Sequence, residues 1–303
     1  MQRHLIAATV MLALAGCATL QMRIQDVTPS CGADRPFAEG GERATLWIRG
    51  SAEFRSSAEG TYRAALQGLQ RGLADTGWSA EPSQTVDFSG LPPAVVMDID
   101  DTVLDNSTLQ ARMLLAVACP ADFDVLWDSW VSERAAPAVP GAVAFVRAAR
   151  DLSDSQGRQV RVFLVTNREC RVRAGAVSVC PQQDDTLANL RALGLDSATL
   201  DDDLMLKAEH PEWGSEKLPR RQLIARDYRI VLNVGDDLAD FVPDMRDKSP
   251  AEREQASCRH RDWWGARWFM IPNPMYGSWE RALGNDLNAA LVLPPLGGCD
   301  GGG

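Results

Sequence analysis

The sequence predicts an α/β fold in which helices cover both faces of a parallel central sheet. Three observations carry that expectation. Short apolar runs recur at residues 94–97, 160–165, 204–206 and 229–234, helix-patterned stretches separate them, and polar or charged residues follow each run. Strands that alternate with helices imply right-handed crossovers and parallel pairing. Ligands in such sheets sit at the carboxyl ends of the strands, so the polar tips mark where a site belongs.

Ahead of the first run, Leu46, Phe54, Tyr62, Leu66, Leu69 and Leu73 recur at near-helical intervals and predict helix over residues 44–74, weakened by Gly60, Gly68 and Gly72. Pro92 and Pro93 punctuate, and residues 94–97 form a short buried strand that runs into Asp98. The second strand, 160–165, ends in Thr166-Asn167-Arg168. The third, 204–206, precedes Lys207, and the fourth, 229–234, ends in Gly235-Asp236-Asp237. Helices are expected over 143–152, 186–193 and 216–226. Residues 108–136 interrupt the alternation with Phe123, Trp127 and Trp130 and are read as a small, mainly helical cap overhanging the strand tips. Most of the nine tryptophans, Trp263, Trp264 and Trp268 among them, are expected to pack in the core or at an interface.

The first residues read as a targeting segment. Arg3 and His4 give a positive start, residues 5–15 are apolar but shorter than the roughly 20 residues a membrane span needs, and Leu14-Ala15-Gly16-Cys17 follows. No later stretch is long and apolar enough to span a membrane, so the remainder is expected to be soluble. At 45% hydrophobic residues the chain can bury a core, and its net charge of −10 argues against a nucleic-acid polymer as partner, because phosphate backbones are held by clustered Lys and Arg. A small phosphate ester stays open, since its handling is local. Three histidines and no C-x-x-C pair make a zinc site unexpected.

Asp98-Ile99-Asp100-Asp101-Thr102 is the centre of the chemistry. Residues two apart in an extended segment point the same way, so Asp98 and Asp100 can face one site. Two carboxylates alone repel a phosphate dianion, and a divalent cation removes that repulsion; hard oxygen ligands select magnesium. One carboxylate can then attack phosphorus, and the other can protonate the leaving oxygen and later deprotonate water. Thr166 offers a hydroxyl and nearby backbone N–H groups to phosphate, Lys217 a positive charge against the transition state, and Asp236 a further acidic ligand. Taken singly, each has a bland alternative as a solvated turn, helix charge or strand-end hydroxyl. Their order along the chain, each at a strand end or helix start, favours the shared site.

These residues resemble the four motifs of the haloacid-dehalogenase (HAD) superfamily: Asp98-x-Asp100-x-Thr102, Thr166, Lys217 and Gly235-Asp236-x-x-x-Asp240. The longer strings VMDIDDTVLDNS (96–107), Trp127-x-x-Trp130, AVPGA (138–142), VTNR (165–168) and PNPMYGSWE (272–280) are similar to the class C acid phosphatases, the bacterial lipoprotein e type, which act on 5′-mononucleotides and related phosphomonoesters. The resemblance implies a HAD-like Rossmannoid fold, with Asp98 as nucleophile and Asp100 as acid/base. It implies Mg²⁺ held by the Asp98 carboxylate, the Asp100 backbone carbonyl and Asp236, with Asp240 supporting that shell. Thr166, the Asn167 backbone and Lys217 would hold phosphate, and Trp127 and Tyr276 would flank the nucleobase. Four positions depart from the family pattern: Asp101 where glutamate is usual, Asp237 where asparagine is usual, Ala239 in place of the next acid, and Leu109 in place of a tyrosine.

On this reading residues 1–16 are a lipoprotein signal peptide, with Cys17 as the lipidated first residue, and 17–43 a linker. Residues 44–296 are the HAD-like acid phosphatase domain with its cap at about 108–136, and 297–303 a flexible tail. Ala18 after the cysteine resembles sorting to the outer membrane. The rival functions are a non-catalytic surface or periplasmic binding lipoprotein that keeps the fold, and a phosphotransferase that passes the phosphoryl group to an alcohol. Six cysteines remain besides Cys17, an even number suited to disulfides in an exported chain. Cys170 and Cys180 flank a short segment and are expected to pair, with Cys31–Cys299 and Cys119–Cys258 as the other bridges.

Overall fold

The structure, a computed structural model, describes residues 41–115, 123–284, 287–293 and 297–299. In chain order the elements are α1 (Gly41–Gly50), α2 (Ala52–Ala74), β1 (Pro93–Met97), α3 (Ser107–Leu115), α4 (Phe123–Glu133), α5 (Ala142–Arg150), β2 (Arg161–Glu169), α6 (Pro181–Ala192) and α7 (Leu200–Asp203). They continue with β3 (Leu204–Lys207), α8 (Leu218–Asp227), β4 (Arg229–Gly235), a 3₁₀ turn (Leu238–Asp240), α9 (Pro250–Arg259), β5 (Trp268–Met270), α10 (Ser278–Leu283) and α11 (Leu287–Leu291). The five strands form one parallel sheet in the order β3-β2-β1-β4-β5. From β1 the chain builds outward through β2 to β3, then crosses to β4 and β5 on the other side. The change of direction falls between β1 and β4. Met97 is level with both Leu164 and Val234, so the chain leaves these strands side by side at one end of the sheet.

Alternation within the strands sorts two cores. Val95, Met97, Val162 and Leu164 face α2, α5 and α6, meeting Phe54, Leu69, Phe145 and Leu190. Ala94, Val96, Phe163 and Val165 face the opposite way, toward Ile224 of α8, Ala256 of α9 and Phe241. A strand buried on both faces has no polar alternation to show, which is why β1 reads as continuously apolar and is buried at all five positions.

The expected helix over 44–74 is two helices. Ser51 breaks it: its backbone is extended and its hydroxyl accepts from the Phe54 N–H, which caps α2. Gly72, which weakened the helix expectation, has a packing reason. A Cβ there would come within 2.5 Å of Val231 Cγ1 and 2.8 Å of the Trp78 indole, so glycine lets α2 lie close against β4. A fifth strand was not expected. β5 is three residues long, and Trp268 within it is fully buried, its indole N–H donating to the Ala80 carbonyl at 2.8 Å. Trp263, Trp264 and Trp268 pack against one another and Phe241, as the packing reading held.

The interruption after β1 contains α3, which lies on α1, and α4, which lies on α6; residues 116–122 are outside the described residues. Cys170 pairs with Cys180, as expected. Cys258, however, pairs with Cys299, which overturns both Cys31–Cys299 and Cys119–Cys258. The chain past α11 returns to α9, where the Gly298 N–H donates to Glu254 Oε1 one turn before Cys258, and this brings residue 299 against that helix. Cys17, Cys31 and Cys119 lie outside the described residues. Among the described residues no helix is long and apolar enough to cross a membrane.

Two alanine substitutions on α2 should act in opposite directions. Gly72→Ala forces α2 away from β4 and is expected to destabilise by about 1–3 kcal/mol. Gly60 has nothing within 4 Å of its would-be Cβ, and Gly60→Ala should stabilise by about 0.5–1 kcal/mol. Urea unfolding of both variants checks this; shifts of the same sign would contradict the close approach.

Candidate active site

Every acid and base expected of the site lies at the sheet end where β1, β2 and β4 stop. The Asp98 N–H continues the sheet by donating to the Val234 carbonyl at 3.0 Å, which places its side chain beside the turn that follows β4. In that turn Gly235 passes directly under Asp240: a Cβ at position 235 would lie 2.4 Å from Asp240 Oδ2. Only glycine allows Asp240 Oδ2 to accept from the backbone N–H groups of both Asp236 (3.2 Å) and Asp237 (3.1 Å).

Lys217, immediately before α8, reaches the same point. Its ammonium bonds Asp98 Oδ1 and, at 2.7 Å, Asp240 Oδ1. The lysine is 4% exposed and Asp98 8%, so the pairs are interior ones. Burial alone lowers the Lys217 ammonium, but Asp240 and Asp98 outweigh it and hold its pKa above the ordinary value. Burial, with Asp240 and Asp100 adding to it, pushes Asp98 up to about 6 against the opposing pull of Lys217. Asp236 is pushed well above the carboxylate range by burial first and then by Asp98 and Asp240.

Asp98, Asp236 and Asp240 each bring one carboxylate oxygen within 4.8 Å of the others, and among the described residues only Lys217 forms an ion pair with any of the three. A buried cluster of hard oxygen donors with surplus negative charge fits a divalent cation. The three are not equivalent. Both Asp240 oxygens are already engaged, one by Lys217 and the other by two backbone N–H groups, so this residue suits bracing better than ligation. Asp236 is oriented by the Thr102 hydroxyl at 3.2 Å and the Asn273 amide at 2.8 Å.

Asp100 sits on the other side of Asp98, toward β2. Its carboxylate accepts from the Thr166 hydroxyl at 3.1 Å, from Asn106 Nδ2 at 3.0 Å and from Arg168 Nε and Nη2 at 3.0 and 2.8 Å. Thr166 thus serves Asp100 and also accepts the Arg168 N–H at 3.0 Å. Asn167 is turned so that its side-chain oxygen accepts from Arg220 Nη2 at 3.0 Å, in a residue whose Nη1 also bonds the Thr166 carbonyl at 2.5 Å. Asp101 adopts a positive φ of 56° and is buried. Burial pushes its carboxyl up to about 7, against hydrogen bonds from the Tyr276 hydroxyl and the Asn106 N–H. Asp237, a departure from the family pattern, turns away from the cluster of Asp98, Asp236 and Asp240. Its carboxylate accepts from the Ser278 hydroxyl and N–H and from the Ala239 N–H; burial is outweighed, and its pKa lies below the usual range.

The two aromatic residues expected beside the base each have contacts of their own. Tyr276 is half-buried and tied through its hydroxyl to Asp101, while Trp127 stacks on Phe123 with ring centroids 5.9 Å apart. No direct ring contact joins the two among the described residues. Arg168, Asn106, Asn273 and Arg220 were not assigned roles from sequence. The first three stand inside the quoted strings VTNR, VMDIDDTVLDNS and PNPMYGSWE, so the signal was present without its partner.

The sequence model of the family described as HAD superfamily, subfamily IIIB (acid phosphatase), matches residues 70–279. Among solved structures, the chain is similar to the class C acid phosphatase from Bacillus anthracis, with 27% identity and a TM-score of 0.63 over 83% of this chain and 91% of that one. A second structure of that enzyme, with tungstate bound, matches at 26% identity and a TM-score of 0.64 over the same shares.

The buried carboxyls give the metal-free protein a defined pH dependence. Asp98 and Asp101 have folded pKa values raised to about 6 and about 7 from 3.8, so the folded state holds more protons than the unfolded chain between those limits. The stability they contribute is complete below about pH 4 and is lost as pH rises through about 6 and 7, at up to about 1.4 kcal/mol per pH unit for one group. Denaturant unfolding in chelator should show Asp101→Asn with a flatter pH dependence than the parent. Parallel slopes for the two would contradict the assignment.

Proposed function

We propose that this chain, which belongs to subfamily IIIB of the HAD superfamily, the acid phosphatases, hydrolyses 5′-nucleoside monophosphates through an aspartyl-phosphate on Asp98 with Mg²⁺. The observation that carries the mechanism is the position of Asp98. Lys217 holds one carboxylate oxygen, Asp100 lies two residues on, and the Thr166 turn stands alongside. In this reading the other Asp98 oxygen attacks phosphorus in line. The bond from phosphorus to the ester oxygen breaks, its electron pair stays on that oxygen, and Asp100 supplies the proton. Asp100 then takes a proton from water as the water oxygen attacks phosphorus, and the Asp98 carboxylate is restored. Lys217 and the Asn167 N–H hold the phosphate oxygens, countering the charge that grows on them.

Mg²⁺, held by the Asp98 carboxylate, the Asp100 carbonyl and Asp236, would neutralise the charge between the acids and the phosphate and orient its oxygens. Surplus buried negative charge around Asp236 supports that choice. For the base, Trp127 and Tyr276 remain the proposed contacts. Stacking reads no base edges, so purine and pyrimidine nucleotides should both be accepted. We extend the proposal to export and anchoring at the outer membrane through a lipidated Cys17.

Asp98→Asn should abolish phosphate release from every phosphomonoester, with the fold kept, and chelator should do the same to the parent until Mg²⁺ is restored. Phosphate release by purified Asp98→Asn at near the parent rate would end the aspartyl-phosphate reading. For the base, Trp127→Ala should raise KM for nucleotides about tenfold, the equivalent of one lost stacking contact of about 1.4 kcal/mol, while leaving p-nitrophenyl phosphate nearly unchanged. Equal losses on both substrates would mark Trp127 as packing against Phe123 and nothing more.

A further inference from the structure

Arg168 is 2% exposed at the end of β2, and its guanidinium divides between a carboxylate and a hydroxyl. Nε and Nη2 fork onto the Asp100 carboxylate at 3.0 and 2.8 Å, and Nη1 donates to the Thr186 hydroxyl at 3.0 Å. Two other buried arginines in this chain tie main-chain carbonyls together, and a third, Arg221, divides its donors between Glu81 and the carbonyls of Asp240 and Phe241. Arg229 donates to the carbonyls of Gly72, Asp75 and Trp78, and Arg220 to those of Thr166 and Gly214. Arg168 directs its side chain instead at the Asp100 carboxylate, which keeps 14% of its side-chain surface exposed.

The base of Arg168 is itself fixed. The Thr186 hydroxyl donates onward to the Gln182 carbonyl at 2.7 Å, the Arg171 N–H donates to Gln182 Oε1 at 3.1 Å, and the Cys170–Cys180 disulfide joins the end of β2 to the start of α6. These contacts prevent α6 and the β2 tip from drifting apart. A planar fork defines both the position and the plane of the carboxylate it grips, which a single ammonium does not.

We infer that Arg168 is the positioning residue for Asp100. It aims the carboxyl at the ester oxygen and pairs with the carboxylate that remains after the proton has passed to that oxygen. The inference rests on the reading of Asp100 as the acid/base. Proton balance is unchanged by it: the proton moves from Asp100 to the leaving oxygen as the phosphorus–oxygen bond breaks, and Arg168 keeps all its own.

Leaving groups separate this role from a structural one. p-Nitrophenolate departs without a proton, whereas an alkoxide from a 5′-nucleotide or glycerol phosphate needs one. The quantity to measure is kcat/KM on an alkyl phosphate divided by kcat/KM on p-nitrophenyl phosphate, which reports the step up to leaving-group departure. Both values come from one preparation, so any loss of folded protein cancels. Asp100→Asn should lower the ratio by about 10²–10⁴. Arg168→Lys and Arg168→Gln should lower it by about ten- to a hundredfold, as expected for a lost charge-assisted hydrogen bond. Thr186→Val, which leaves Arg168 in place and removes only its Nη1 anchor, should lower it by about two- to tenfold. A large drop in Asp100→Asn with parent ratios in the Arg168 and Thr186 variants would overturn the inference and leave the acid/base reading standing. An unchanged ratio in Asp100→Asn itself would overturn both.

Discussion

A single buried ammonium holds the catalytic end of this molecule together. Lys217 carries the only positive charge ion-paired with Asp98 and Asp240 among the described residues, and all three side chains are buried. Removing one member of such a group is far costlier than the net value of the group, because the others stay buried and uncompensated. The backbone is shaped around the same interaction. Asp240 can reach Lys217 with one oxygen only because the other is seated on the N–H groups of Asp236 and Asp237, and that seat exists only because position 235 is glycine. Strand order completes the arrangement, since β4 lies next to β1 and delivers the Gly235–Asp236 turn beside Asp98.

The acids around this centre outnumber their cations, and the C-terminal string 272–280 answers much of that excess. Asn273 donates to Asp236, the Tyr276 hydroxyl to Asp101, and Ser278 to Asp237. Three donors in six residues thus meet three acids from two different strand ends. This explains how the chain tolerates Asp101 and Asp237, its departures from the family pattern. Each accepts hydrogen bonds from the string, and Asp237 also pairs with Arg253 at 3.7 Å, which draws both away from the cluster that would hold the cation. It also gives Tyr276 a task ahead of any contact with a base, because its hydroxyl fastens the string to the loop that carries Asp100.

What was legible in the sequence was whatever depends on near neighbours. The four runs that became β1 to β4 were visible because strands covered on both faces are apolar throughout, and the acids that follow them stood out against that background. β5 was not visible, since three residues set no period and Trp268 reads equally as core. The break at Ser51 is not legible, because the apolar spacing continues across it and only the capping bond to Phe54 shows that the helix restarts. Cys258 and Cys299 could not be paired by counting; the contact from Gly298 to Glu254 that brings them together is a tertiary one.

Arg168 shows the same limit within the site itself. Its residue type and place in VTNR were plain, but its partner Asp100 lies 68 positions away, and its anchor Thr186 belongs to a helix with no chemical signature. An arginine at a strand end is usually a solvated charge, and nothing local distinguishes this one. The distinction comes from burial. With its surroundings dry, each guanidinium nitrogen must find an acceptor, and a planar group with fixed donor directions dictates where those acceptors sit. The fold therefore constrains Asp100 through Arg168 as firmly as it constrains Asp98 through Lys217. The two cations do different work: Lys217 balances charge among several acids, whereas Arg168 fixes the orientation of one.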